Sequence, residues 1–354
     1  MWLEALAAHG EVTLIAPGPL APAGAPAHRR VQLAPAWPAI PWRALRVVRR
    51  GWPLTVLLAA GAAWRRAFTR AAGGGPYDVS VVVLARTHPW VAPYLTGSRR
   101  VLDAIDALSA NLQERARAAC GPWRTFWRRE AARTARLEEE VVRRYQRVVV
   151  VAEEERRHFR GVVEVASHGV EVHPEGAAPR DVDFAFWGRL AYFANRDAVL
   201  TLLRDLWPAI RARLPRARLV LAGADCPRAV RAFDGRDGVC VVSPLGDRPA
   251  LLRRVRVALF PVRFGSGQPN KVLEAAEASC AIVSTPAGAR GVGPLATAVV
   301  VAPLGGELVD AAVALASDAA RCTALGAQGR RLVAAHFDRR EARVRFAEIA
   351  GLAP

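Results

Sequence analysis

The chain has 354 residues, 52% of them hydrophobic, with 50 Lys and Arg against 32 Asp and Glu, a formal net charge of +18. This length accommodates two domains that each bury a core, and no apolar run reaches the roughly 18 residues of a membrane-spanning helix. The start shows no charged leader with a cleavage site, and the five cysteines form no CxxC or Cys-His pattern. These features predict no secretory signal, no disulfide framework and no zinc site, so we expect a cytoplasmic protein.

The positive charge is almost entirely Arg. A nucleic-acid surface, an anionic membrane surface and a GC-rich genome that favours Arg codons each explain such an excess. High Ala, Gly and Pro content accompanies the Arg, which favours codon bias as a large part of the cause. The sequence contains no RNA-binding motif with interleaved aromatic residues, so no nucleic-acid partner is expected.

The first predicted elements are a helix over residues 2–9 and a strand over 11–17. Because a parallel α/β domain begins with a strand from which such a helix crosses over, the start is misassigned or the first strand is missing. In the second case a sheet edge is exposed, and the loop between that strand and the helix is absent. We then expect an in-frame segment upstream of Met1 to encode the strand and loop.

Residues 42–70 alternate arginine clusters with apolar residues, among them Trp42, Trp52 and Trp64. This pattern suits a pair of helices that lie on an anionic lipid surface. Ordinary domain helices with Arg on their outward faces explain it too, and we favour this simpler interpretation.

Two buried strands are predicted over residues 77–85 and 99–106, and both end in polar residues. His88 follows the first strand, and Asp103 and Asp106 close the second. Since ligands gather at the carboxyl ends of strands in open α/β sheets, these three residues are candidate catalytic groups. Alternatively, Asp106 caps the helix that begins near residue 108.

A linker over about residues 173–180 leads into a second strand-loop-helix-strand pattern, with Gly188 and Arg189 at the end of its first strand. A later strand, over 239–247, is followed by another helix, which delivers the chain to the glycine-rich stretch 255–291. We therefore predict a second α/β domain built on buried parallel strands.

In that stretch a strand ends at residue 261, and Gly265 and Gly267 allow the backbone to turn tightly. A helix over 270–278 then starts, with Pro269 expected at its first position, so its N-terminal N–H groups suit a phosphate. Lys271 and Arg263 add positive charge beside the helix end.

Glu274 is expected in the first turn of that helix, where its carboxylate can accept hydrogen bonds from the vicinal hydroxyls of a ribose. Diphosphate and diol together indicate a sugar nucleotide. The residues alone leave an equal alternative, in which the glycine loop merely follows a buried strand and Glu274 complements the helix dipole.

Residues 261–288 resemble the donor-site signature of GT-B glycosyltransferases in the retaining, glycogen-synthase-like (group 1) superfamily. The KVLEA segment is most similar to bacterial sugar transferases of exopolysaccharide pathways. The matching residues include Pro261, Gly265, Gly267, Lys271, Val272, Glu274 and Gly288. The family usually has a second Glu where this chain has Ser266, so the sequence departs from the family at the end of the site that contacts the donor sugar.

The resemblance implies an α/β fold with two Rossmann-like domains facing across a cleft, over residues 1–172 and 181–335, and a helix over 336–354 that crosses back to the first domain. It implies transfer of a sugar, of the hexosyltransferase type, from a nucleoside-diphosphate-sugar to a glycan, a lipid-linked or a small-molecule acceptor. The expected reaction retains the anomeric configuration and uses neither a metal nor a cofactor, with cationic residues stabilising the leaving diphosphate.

The residues that the resemblance places at the donor are Gly188, Arg189, Gly246, Arg263, Gly265, Ser266, Gly267, Lys271, Val272 and Glu274, and those at the reaction centre are Asp103 and Asp106. His168 replaces a usual Asn and is expected to be structural. Other interpretations stay open: a GT-B sugar-nucleotide epimerase, an inactive GT-B module or partner subunit, and a basic nucleic-acid-binding protein.

Overall fold

The computed structural model describes residues 1–17, 28–33, 40–59, 68, 77–95, 99–174, 179–265 and 267–352. The chain forms two compact units. The first consists of Met1–His168 and the segment from Arg340 onward, and the second of Gly169–Arg339.

The first unit is built from short parallel strands with helices between them. Its strands are β1 (Thr13–Pro17), β2 (Arg29–Leu33), β3 (Val79–Val83), β4 (Arg99–Ile105), β5 (Arg147–Val150) and β6 (Val163–Val165). Its helices are α1 (Trp2–Ala7), α2 (Ile40–Arg49), α3 (His88–Val91), α4 (Leu108–Ala118), α5 (Gly121–Val142) and α6 (Glu153–Arg156), with 3-10 turns at Leu54–Ala59, Ala85–Thr87 and Ala92–Tyr94.

The second unit repeats this alternation on a larger scale. Its strands are β7 (Val182–Trp187), β8 (Leu219–Ala222), β9 (Val239–Val242), β10 (Val255–Phe260), β11 (Ala281–Ser284) and β12 (Val299–Val301). Its helices are α7 (Phe193–Thr201), α8 (Trp207–Arg213), α9 (Arg228–Arg231), α10 (Arg248–Arg253), α11 (Asn270–Glu277), α12 (Gly306–Ser317) and α13 (Ala319–His336). A π-helical turn at Leu202–Leu206 joins α7 to α8, a 3-10 turn covers Gly293–Ala298, and α14 (Arg339–Ala350) returns to the first unit.

In the first unit, β3, β4, β5 and β6 pair in that order in one parallel sheet, while β1 and β2 pair with each other in a second one. The strands are rich in Val, as expected where both faces of a parallel sheet are covered. Helices α1 and α14 pack together on β4 and β5, with the ring of Trp2 edge-on to Phe346 at 4.6 Å.

In the second unit, six parallel strands have the order β12-β11-β10-β7-β8-β9. The chain builds outward from β7 through β8 to β9, and then from β10 on the other side of β7. This is the doubly wound arrangement, and its ligands bind outside the carboxyl ends of the two strands where the order reverses. Those strands are β7 and β10.

Two sequence predictions about the glycine-rich stretch are wrong in detail. Helix α11 starts at Asn270, so Pro269 is its N-cap residue and not its first helical residue. Glu274 therefore lies in the second turn, and the first turn contains no acidic residue. Of the helix pair predicted over 42–70, the structure shows α2, which ends at Arg49, and a 3-10 turn at Leu54–Ala59. Trp64 and the arginines next to it lie outside the described residues. In the part of the chain described above, no helix has the length and apolar character needed to cross a bilayer.

Candidate functional site

The carboxyl ends of β7 and β10 bring together the two loops that sequence analysis assigned to the donor. Gly188 and Arg189 follow β7, and the segment from Arg263 to Gly267 follows β10 and leads into α11. Neighbouring β8 supports this arrangement through Gly223, because a Cβ atom there would lie 1.7 Å from the carbonyl oxygen of Gly188. Only glycine permits that approach of the two backbones.

Lys271 lies in the first turn of α11 and is largely enclosed. Its Nζ donates to Oδ1 of Asn195 at 2.5 Å and lies 4.6 Å from the centre of the Phe186 ring. Burial lowers the pKa of Lys271 to about 8, and the charge of Glu274 opposes this shift. At neutral pH the ammonium group is thus mostly charged but poorly hydrated, so a phosphate placed beside it would gain a strong partner.

The two arginines predicted beside the phosphate each have a carboxylate partner in this structure. Arg263 forms a two-bond ion pair with Asp197 of α7, in which Nε lies 2.7 Å from Oδ2. Arg189 Nε donates to Asp225 Oδ2 at 2.7 Å, and its side chain is 73% exposed. To bind a diphosphate, each arginine would have to leave its carboxylate partner or share it, so their place at the donor stays a prediction.

Glu274 faces the same region from the second turn of α11. Its Oε2 accepts from Trp187 Nε1 at 2.7 Å, and its Oε1 pairs with Arg248 Nη1 at 2.5 Å. Because Glu274 is not in the first turn, the interpretation that it mainly complements the helix dipole loses its basis. Its carboxylate is instead held by two N–H donors, one from the end of β7 and one from the start of α10.

The remaining predicted donor residues form or support the loops. Gly267 has a φ of 73°, which favours glycine, and the Gly265 carbonyl accepts from Arg290 Nη1 at 3.2 Å. At Gly246, after β9, an added Cβ would meet no atom within 4 Å, so the loop surface there is open. The Val272 side chain is fully buried in the core, and its N–H donates to the Pro269 carbonyl at 2.8 Å. Ser266 lies outside the described residues.

In the first unit, Asp103 is buried near the end of β4. Its Oδ2 accepts from Trp2 Nε1 at 2.8 Å, and its Oδ1 accepts from the backbone N–H of Ile105 at 3.0 Å. Ile105 has a φ of 65°, a strained conformation for a β-branched residue, so Asp103 stabilises a kink at the strand end. His168 Nε2 lies 3.7 Å from Asp103 Oδ2, which accounts for His168 as a structural residue.

Asp106 follows that kink and is partly exposed. The N-cap residue of α4 is Ala107, whose side chain makes no hydrogen bond to the helix, so Asp106 lies one position before the cap. Two buried carboxylates from other helices take that role: Glu155 Oε2 accepts from Ala107 N at 2.8 Å, and Glu138 Oε1 from Ser109 N at 3.2 Å. The alternative for Asp106 as a helix cap is therefore wrong, and its catalytic role stays a prediction.

His88 is buried at the start of α3, where Nδ1 lies 2.8 Å from the hydroxyl oxygen of Tyr145. Burial, together with the charges of Arg144 and Arg100, lowers the pKa of His88 to about 4. The ring is thus neutral at physiological pH. The predicted catalytic role of His88 gains no support from these contacts.

Comparison with known proteins agrees with this architecture. Residues 181–318 match the sequence model of the family described as "Glycosyl transferases group 1". Over 98% of this chain and 90% of the other, the fold is similar to sucrose-phosphate synthase from Thermosynechococcus elongatus, with a TM-score of 0.72 and 16% identity. The fold is GT-B.

Two further solved structures show the same likeness. HepE from Anabaena, solved in complex with UDP and glucose, gives a TM-score of 0.64 at 12% identity over 91% of this chain and 86% of the other. WaaG, described as a glycosyltransferase involved in lipopolysaccharide biosynthesis, gives 0.56 at 15% identity over 75% of this chain and 82% of the other. The search of curated proteins found no significant match.

Several residues of the candidate site were not assigned to it from sequence. They are Trp187, Asn195, Asp197, Asp225, Arg248 and Arg290. Some of them could have been predicted from sequence, because they lie within about three positions of the carboxyl end of a strand near the switch point. Among the described residues, no group of three or more His, Cys, Asp or Glu side chains is placed to hold a metal ion.

Proposed function

We propose that the chain is a glycosyltransferase of the hexosyltransferase type that uses a nucleoside-diphosphate-sugar donor and retains the anomeric configuration. The observation that carries the proposal is the pairing of Lys271 and Glu274 on one face of α11. Residues three apart on a helix are neighbours, so a largely enclosed cation and a carboxylate lie side by side at the switch point of the sheet. The cation suits a diphosphate and the carboxylate suits the ribose diol.

In the proposed reaction the enzyme must stabilise negative charge on the leaving group. When the glycosidic bond to the donor breaks, negative charge builds on the departing diphosphate. Lys271 is poorly hydrated and lies at a helix N-terminus, so it would stabilise that charge more than an exposed lysine could. We propose that Arg189 and Arg263 exchange their carboxylate partners, in whole or in part, for the diphosphate, without a metal ion.

The likeness to HepE supports this choice of donor, because that protein was solved in complex with UDP and glucose. For the present chain we propose only classes of substrate. The donor carries a nucleoside diphosphate and a hexose, and the acceptor is a glycan or lipid-linked saccharide in exopolysaccharide synthesis. The predicted catalytic groups are Asp106 at the reaction centre and Asp103, which holds the backbone beside it.

For the acceptor we propose a lipid-linked saccharide at the cytoplasmic face of an anionic membrane. Helix α2 supports this with exposed apolar residues at Trp42, Leu45 and Val48, of which Trp42 is 78% exposed. Arg46 and Arg49 on the same short helix add positive charge. An exposed tryptophan beside arginines suits the headgroup region of a bilayer. Sedimentation with anionic but not zwitterionic vesicles, weakened by Trp42→Ala, would support this surface, and equal sedimentation with both would exclude it.

The experiment that tests the function is a transfer assay on the purified full chain. A panel of nucleoside-diphosphate-hexoses is incubated in EDTA with saccharide and lipid-linked saccharide acceptors, and released nucleoside diphosphate and the product's anomeric protons are measured. Transfer with retention from one donor is expected, and it should be lost in Lys271→Met. Epimerised sugar nucleotide without transfer would contradict the proposal, as would a metal requirement for its metal-free form.

A further inference from the structure

Trp187 is a core residue of the second unit whose indole nitrogen points toward the candidate donor site. It is the last residue of β7, is 1% exposed, and packs edge-on against Phe260 at 5.1 Å. Its indole N–H donates to Glu274 Oε2 at 2.7 Å. A buried indole N–H needs a partner, and this one has a charged partner, which makes the bond stronger than one between neutral groups.

The other oxygen of the Glu274 carboxylate contacts a side chain that is half-exposed to solvent. Glu274 Oε1 pairs with Arg248, the first residue of α10, whose side chain is 52% exposed. A half-exposed arginine has many rotamers and samples water, so its hold on the carboxylate is weak and changeable. The fully buried indole is fixed by its packing. Trp187 therefore sets the orientation of Glu274, and Arg248 does not.

The geometry leaves room for a ligand on that carboxylate. An ionised carboxylate has about four lone-pair positions for hydrogen bonds, and Trp187 and Arg248 use two of them. The side chain of Glu274 keeps 23% of its surface exposed. If the indole donor were absent, the carboxylate could swing toward Arg248 and the remaining lone pairs would no longer face a fixed direction.

We propose that Trp187 is a positioning residue of the donor site, whose indole N–H holds Glu274 in the orientation that accepts the vicinal hydroxyls of a nucleoside-diphosphate ribose. The inference rests on the proposed function, because it takes Glu274 as the acceptor of that diol. It adds a residue that touches no substrate and acts through the carboxylate alone. A change at Trp187 should therefore affect binding of the ribose diol, and not binding of the diphosphate or the base.

Trp187→Phe removes the N–H and keeps most of the ring packing. Its matched control is Trp207→Phe, because Trp207 is also buried, at 2% exposure, and donates its indole N–H at 3.0 Å to the carbonyl of Asp237. Binding of UDP, GDP and ADP is measured by calorimetry, and the tightest is compared with its 2′,3′-dideoxy analogue. Trp187→Phe should weaken the ribonucleotide by about five- to tenfold and the dideoxy compound by less than about twofold, as loss of one hydrogen-bond effect predicts. Trp207→Phe should change neither by more than about twofold.

A second pair of variants separates positioning from general damage. In a Glu274→Gln background, Trp187→Phe should have no further effect on the ribonucleotide, since the charged partner is already gone. If Phe prevents folding, β-(3-benzothienyl)alanine at position 187 keeps the bicyclic shape and replaces only the N–H. Equal weakening of both nucleotides, no weakening of either, or a full effect in the Glu274→Gln background would overturn the role of Trp187. Failure of Glu274→Gln itself to weaken the ribonucleotide would instead overturn the diol role of Glu274, and with it this inference.

Discussion

Nζ of Lys271 lies 2.5 Å from Oδ1 of Asn195, and the amide nitrogen of the same Asn195 donates to the carbonyl oxygen of Arg189 at 3.0 Å. One side chain on α7 thus joins the loop after β7 to the first turn of α11, the two parts of the candidate donor site. Asn195 therefore orients the lysine that α11 supplies.

Asn195→Ala should weaken nucleoside-diphosphate binding, because Lys271 loses its buried hydrogen-bond acceptor and the Arg189 carbonyl loses its donor. We expect a loss of about 1.5 to 3 kcal/mol, the range for hydrogen bonds to charged groups. Calorimetry with the best nucleoside diphosphate measures it, and Asn270→Ala at the exposed start of α11 is the control. An unchanged affinity would mean that Asn195 does not organise the site.

The binding of a nucleoside diphosphate should depend on pH through Lys271. Burial lowers the pKa of this group to about 8 in the ligand-free protein, and an adjacent diphosphate favours the charged form and raises the pKa again. Between about pH 8 and 9, binding should therefore take up a proton, and affinity should fall as pH rises through this range. Calorimetry in two buffers with different ionisation enthalpies measures the uptake, which should be absent in Lys271→Met.

The same lysine should make the free energy of unfolding rise with pH, whereas it makes nucleotide affinity fall with pH. Its pKa in the folded chain lies below the unfolded value of 10.5, so between about pH 8 and 10.5 the unfolded state binds more protons and stability rises with pH. Lys271→Met should remove this rise without lowering stability at pH 7. A variant that is less stable at pH 7 would show that the charge stabilises the fold, contrary to what burial of the ammonium group predicts.

Much of the architecture was predictable from local patterns, whereas the pairing within the site was not. Apolar runs predicted β3, β4 and β10, and the two glycines after β10 predicted the loop before α11. The contact between Trp187 and Glu274, by contrast, joins positions 87 residues apart, and its geometry follows from the strand order. Neither propensity nor spacing along the chain contains that information.

The case of Asp106 shows the same limit. Its position before α4 is typical of a helix cap, but Glu138 and Glu155 reach the first N–H groups of that helix from elsewhere in the fold. A local rule is overridden when a buried carboxylate from another helix is closer to the same donors. Arg263 and Asp197 give a second example, in which an arginine predicted to bind phosphate pairs with a carboxylate of α7.

Glu138 should make the first unit less stable as pH rises. Burial raises its pKa to about 7, against hydrogen bonds from Ser109 that lower it. Because the folded state then holds a proton that the unfolded state releases, stability should fall between about pH 4.5 and 7 and level off above that, by roughly 2 to 4 kcal/mol. Urea unfolding across this range measures the slope. Glu138→Gln should flatten it, and Glu139→Gln, an exposed neighbour on the same helix, should not.

Glu274→Gln should weaken binding of a ribonucleoside diphosphate by about 1.5 to 3 kcal/mol while the fold stays intact, since an amide keeps the shape but loses the charge. The control is Asp310→Asn, which removes the charge from an exposed ion pair with Arg213 on another face of the second unit. A thermal melt checks folding, and calorimetry checks affinity. Equal affinity in Glu274→Gln and the parent chain would assign this glutamate to its contacts with Trp187 and Arg248 alone.

We propose that Lys271 and Glu274 at the switch point of the second unit form a metal-free site for a nucleoside diphosphate. Calorimetric titration of the full chain with UDP, GDP, ADP and TDP in EDTA, repeated for Lys271→Met and Glu274→Gln, tests this site. We predict saturable one-to-one binding of at least one of them in EDTA, weakened by about tenfold or more in each variant. Binding that disappears on chelation, or that both substitutions leave unchanged, would contradict it.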